Sequence, residues 1–132
     1  MQLFPKSHKR KKTKVPLRMM VDGEETVIFH PVVGVERTPL VVHKAVTIED
    51  EKADTIKVSR DRWSVTHTFS GFAVGVQGSY EFCSTVANRL LEEPILYLPT
   101  AKMMSEHPDY SSTFELICNL KSAYWSLGGR GS

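Results

Sequence analysis

The chain has 132 residues, 41% of them hydrophobic, which allows a single domain with a real core. Its formal charge of +2 conceals a split. Of the 17 basic residues, 7 (Lys6, Lys9, Arg10, Lys11, Lys12, Lys14 and Arg18) precede Asp22, the first acidic one, so the remaining 10 face 15 acidic residues in a body of net charge −5. Cys83 and Cys118 make neither a disulfide framework nor a zinc-type Cys-x-x-Cys pattern. Pro16 and Arg18 interrupt the one stretch placed like a secretory signal, and no apolar run reaches the roughly 20 residues that span a bilayer. The expected setting is a reducing cytoplasm.

Residues 1–20 read as a basic flexible arm. Lys6, Lys9, Arg10, Lys11, Lys12 and Lys14 place six cations within nine residues, and such a run has no apolar face to pack. These six side chains are the candidate nucleic-acid-binding residues, expected to contact DNA or RNA phosphates in a salt-sensitive, sequence-blind manner. The same run fits a nuclear-localisation signal or an inert solubilising tail. No aromatic residue is interleaved with the lysines, so there is no base-stacking platform and sequence-specific reading by the arm is not expected.

Residues 21–132 read as one α+β domain. Thr26 to Ile48 is β-rich and predicts a hairpin turning at Glu36-Arg37, with Pro31 marking an edge or bulge. Leu40, Val42, Val46 and Ile48 share one face, with Val41, His43, Ala45 and Thr47 on the other, and Lys44 breaks the inner pattern. After the charged loop 49–54, Thr55–Ser59 predicts a short strand, and Arg60-Asp61-Arg62 predicts the turn leading to the next one. Trp63, Val65 and His67 then alternate with polar residues, Thr68–Gly71 reads as a hairpin loop, and Phe72, Val74 and Val76 return. Ser79 is the predicted N-cap of a helix with a Phe82, Cys83, Val86, Ala87, Leu90, Leu91 stripe, stopped by Pro94. Ile95–Leu98 reads as a further strand or a buried link, and Thr100 as the cap of a short helix. Ser112-Thr113-Phe114-Glu115 matches a capping box and predicts the start of a second long helix, ending near Gly128-Gly129. The resulting architecture is an antiparallel sheet of about five strands with two main helices on one face.

Chemistry-bearing motifs are sparse. A turn at Glu36-Arg37 would set His30 opposite His43, a pair suited to a pH-sensitive clasp or, with further ligands, a metal. His67 lies on the face of Trp63 and Val65, and spacing supplies it no nucleophile. Neither a hydrolase elbow, a zincin motif, a phosphate-binding glycine loop nor a dinucleotide fingerprint occurs, so no catalytic residue, metal or cofactor is expected. Both cysteines read as small apolar fillers on helix stripes.

The segment from Trp63-Ser64-Val65-Thr66-His67 through Ser70-Gly71 to Gly75, followed by a helix, resembles a hairpin pattern in small uncharacterised accessory proteins of bacteriophages. The resemblance spans residues 62–91 and departs at Phe69, where that pattern more often has proline. It implies a viral accessory gene expressed in a bacterial cytosol and carries no activity with it. The expected function is therefore non-enzymatic: the arm on nucleic acid and the acidic body docked on a protein partner. The alternative is an inhibitor or adaptor that binds a host enzyme through its body, with the arm incidental.

Overall fold

The computed structural model describes residues 3–6, 11–21, 23–48, 56–71 and 73–123. Five antiparallel strands run in sequence order across one sheet: β1 (Lys12–Val21), β2 (Glu24–Arg37), β3 (Leu40–Ile48), β4 (Ile56–His67) and β5 (Ala73–Gly78). Helices α1 (Tyr80–Leu90), α2 (Ala101–Glu106) and α3 (Tyr110–Ala123) follow, with a 3₁₀ turn at Pro94–Tyr97 between the first two. The α+β class and the strand number match the sequence reading. No helix among the described residues is long and apolar enough to cross a membrane.

The first strand is the largest departure from expectation. Lys12–Arg18, assigned to a flexible arm, lies in β1, which holds ten register pairs with β2. Two-residue periodicity explains how charge and order coexist: Val15 and Leu17 are buried, while Lys12 and Lys14 point to solvent about 7 Å apart along the strand. Pro16 is tolerated because β1 is the sheet edge, where a missing N–H costs no ladder bond. The chain start is anchored as well. Phe4 is only 4% exposed within the main core; its N–H donates to Asn88 Oδ1 at 2.7 Å, and the Tyr80 hydroxyl donates to the Pro5 carbonyl at 2.8 Å. Residues 3–6 and 12–20 are thus parts of the folded body, which corrects the 1–20 boundary.

Two clusters cover the two faces of the sheet. Leu40, Val42, Trp63, Val65, Val74 and Val76 meet the α1 stripe of Phe82, Cys83, Val86, Ala87, Leu90 and Leu91, together with Ile95, Leu96, Met104 and Leu120. On the other face Val15, Leu17 and Val32 pack on Val41, so the β1–β2 hairpin supplies its own small core. Gly34 is where β2 passes from pairing with β1 to pairing with β3; a Cβ there would lie 2.8 Å from the Val42 carbonyl oxygen. Only glycine fits that approach.

Turns and bulges account for the other departures. The β2–β3 turn is Thr38-Pro39, a cis peptide, so Val35 pairs with Val42 instead of facing Thr38. The shift is four residues, an even number, so Leu40 and Val42 keep their expected face, but past the irregularity at Lys44 Val46 packs with Val41 on the opposite one. Arg60–Arg62 is not a turn between strands but part of a bulge inside β4, where the four residues Ser59–Arg62 oppose Ala45 alone on β3. Ser59 Oγ accepts the Arg62 N–H at 3.1 Å there, and Lys44 donates to the Arg60 carbonyl with its ammonium 5.0 Å from the Trp63 ring centroid. That double use explains the cation in an apolar strand. Gly75, at φ +85, lies where the β4–β5 register slips, and Gly71, at φ +72, closes the predicted β4–β5 loop.

The helix caps agree in two cases of three. Ser79 Oγ accepts from Phe82 N–H at 3.0 Å, and Thr100 Oγ1 from Met103 N–H at 3.1 Å. The capping box at Ser112 is not used, because α3 already begins at Tyr110 and Ser112 Oγ donates back to the Asp109 carbonyl. Ile95–Tyr97 belongs to the 3₁₀ turn, not to a strand. The predicted helix end at Gly128-Gly129 lies outside the described residues.

Candidate nucleic-acid interface

Of the six candidate phosphate contacts, Lys6, Lys11, Lys12 and Lys14 are exposed; Lys9 and Arg10 lie outside the described residues. Among the described residues no carboxylate bridges these four lysines. Arg18 differs. Its guanidinium is 3.1 Å from Glu25 and its Nε donates to the Ser70 carbonyl at 2.9 Å, so it fastens the hairpin to the β4–β5 turn.

Register decides what stands beside the lysines. Directly opposed residues of an antiparallel pair share a face. Lys12, Lys14, Pro16 and Arg18 oppose Val33, Pro31, Phe29 and Val27 respectively, so all eight belong to one side of the hairpin. Val33 leans on the main core and Pro16 is buried, but Pro31 is exposed and Phe29 is 64% exposed. Lys14 and Phe29 are diagonal neighbours, a spacing of about 7–8 Å that long and aromatic side chains bridge. The sequence hid this juxtaposition because 15 positions separate the two residues and only the register joins them.

The histidine pair does not form. His43 opposes Gly34, and His30 opposes Val15, a consequence of the four-residue shift in the β2–β3 turn. His43 is instead buried against β4. Its Nδ1 lies 2.8 Å from the Lys44 carbonyl, which can only accept, so that nitrogen carries the proton and Nε2 accepts from Thr66 Oγ1 at 2.7 Å. Burial lowers its pKa, partly offset by the Lys44 bond. The described residues hold no group of three metal-ligating side chains.

Comparison with models of known families, with curated proteins and with solved structures returns no match for this chain.

His67 does have a serine beside it, three residues on across the turn, a contact that sequence spacing missed. Nε2 donates to the Leu96 carbonyl at 2.6 Å, and Nδ1 accepts from the Ser70 hydroxyl at 2.8 Å. Burial depresses its pKa most, the Leu96 bond raises it, and Arg18 lowers it further. A cavity of about 50 Å³ adjoins the imidazole, lined by apolar side chains such as Val74, Met104, Tyr110 and Phe114. Ser70 does not line it, so the hydroxyl is not presented to that space. The arrangement acts as a clasp between the β4–β5 turn and the 3₁₀ turn. Cys83 is buried, its thiol pushed up to about 12 by desolvation, while Cys118 is exposed rather than the filler its stripe position suggested.

Proposed function

We propose that the protein binds nucleic-acid phosphates without reading sequence, through the exposed Lys6, Lys11, Lys12 and Lys14 and, outside the described residues, Lys9 and Arg10, as a non-enzymatic accessory protein of phage type. The observation that carries this reading is that Lys12 and Lys14 project from an ordered edge strand into solvent, with no carboxylate of the described residues neutralising them. A fixed row of ammonium groups meets a polyanion at a smaller entropic cost than a mobile tail. The competing role for such lysines is to keep another strand from pairing with an open sheet edge.

One experiment separates the two. Lys11→Gln, Lys12→Gln and Lys14→Gln together should weaken binding to a labelled oligonucleotide and lower the slope of log K against log salt by about 0.7–0.9 per lost contact. Unchanged affinity and slope, with new self-association in sedimentation, would assign the lysines to edge protection and end the phosphate reading.

A second reading, an adaptor that grips a protein through its body, draws on Met103, Tyr110 and Phe114, which are exposed on α2 and α3 at 44%, 40% and 56%. Capture from nuclease-treated extract distinguishes it, since a protein–protein complex survives that treatment and a nucleic-acid tether does not.

A further inference from the structure

The outer face of the β1–β2 hairpin joins an exposed aromatic ring to the exposed lysines, and neither strand shows this alone. Phe29 is the most exposed large hydrophobic residue among those described, and it sits on the ordered ladder between β1 and β2, not on a loop tip. Val27, 42% exposed, and exposed Pro31 flank it at two-residue steps, so the apolar side chains of that face are successive positions of one strand. A scattered surface phenylalanine needs no explanation. One set diagonally from Lys14 on a rigid hairpin, with Lys12 continuing away from it, has the composition of a stacking platform beside a phosphate track.

We propose that this face takes single-stranded nucleic acid, with a base stacked on Phe29 and the adjoining backbone running along Lys14 and Lys12. The inference rests on the phosphate-binding reading and adds the strandedness of the ligand. A duplex keeps its base faces inside the stack and offers Phe29 nothing but its ends, whereas every unpaired base has a π-face to give. The site is also polar along its length. Arg18, on the far side of Phe29 from Lys14, is held by Glu25 and the Ser70 carbonyl, and Glu25 itself repels a phosphate. The backbone is therefore steered in one direction, from Phe29 toward the lysines. Phosphate contacts alone supply no preference between single and double strands of the kind a ring supplies.

The test is fluorescence anisotropy on the full chain at fixed salt, with oligothymidine and oligouridine of about 16 nucleotides, within single-strand site sizes, and a duplex of equal length. The wild type should favour the single strands. Phe29→Ala should weaken single-strand binding by about 5- to 150-fold, the range that loss of one stacked base gives, and leave duplex binding unchanged. Phe29→Tyr should restore the single-strand affinity, and Lys12→Gln with Lys14→Gln should weaken all ligands. An unchanged urea midpoint for Phe29→Ala checks that the fold is intact. Phe29→Ala binding every ligand like the wild type, or losing single strands and duplex alike, would overturn the stacking proposal. In either case a continuing lysine effect leaves the phosphate reading in place. Lysine variants with wild-type affinity would remove the phosphate reading itself.

Discussion

Phe4→Ala tests whether the start of the chain belongs to the folded body. A free basic leader would make this a surface change, worth less than about 0.5 kcal/mol. Phe4 is instead packed among the main-core residues, and burial of a phenylalanine side chain is worth about 1.5–3 kcal/mol by transfer alone. Adding the cavity left behind brings the expected loss to about 3–4 kcal/mol, the lower part of the range for phenylalanine-to-alanine core changes. Urea titration followed by far-UV circular dichroism should show the midpoint falling by about 2 M at an unchanged m-value, taking m of about 1.5–2 kcal/mol/M. Asn88→Ala should lower it by a smaller step, because Asn88 Oδ1 accepts from Phe4 N–H and its amide donates to the Phe4 carbonyl. A Phe4→Ala midpoint within 0.3 M of wild type, a shift of about 0.5 kcal/mol at such m-values, would refute the docked leader. Residues 3–6 would then revert to the arm.

Three further outcomes follow from particular contacts. His43 and His67 both have folded pKa values below the ordinary 6.5, so the unfolded chain binds protons that the native one does not; stability is full above about pH 6.5 and falls as pH drops below it, and His67→Gln should flatten that dependence in urea titrations at stepped pH. Gly34→Ala should cost at least about 1–3 kcal/mol in thermal unfolding, because the added methyl meets the Val42 carbonyl and the His43 Cβ at 2.8 and 2.9 Å; retention of the wild-type melting temperature would contradict the close approach of β2 and β3. Cys118 should react with a thiol reagent in the native state while Cys83 reacts only after unfolding, and equal rates would contradict the burial of Cys83.

How much of this was legible in the sequence depended on whether local rules met a rival. Ser79, Thr100 and Gly71 were readable because caps and turns are decided within a few residues. β1 was not, because the density of lysines masks the Thr13, Val15, Leu17 alternation. Burial of Val15 and Leu17 under Val41 settles that contest, and no local signal announces Val41 as their partner. The β2–β3 register was missed for a similar reason: Glu36-Arg37 and Thr38-Pro39 are both acceptable turns in isolation, and only the packing of Val35 against Val42 separates them. At the candidate interface the lysines were found by composition. Phe29 was not, since its place beside Lys14 exists only through the strand pairing.

The two flanks of the cationic run are each tied down. Lys6 follows the Phe4-Pro5 pair held by Asn88 and Tyr80, and the Lys11 carbonyl accepts the Gly34 N–H at 3.0 Å. Their backbone positions are set by the core on one side and the sheet on the other, so the distance between them is a property of the fold. A ligand that touches both therefore meets a gauge of set width. Lengthening the chain between Lys6 and Lys11 would preserve every charge and leave both flanks in place, so a change in binding would report spacing and not charge.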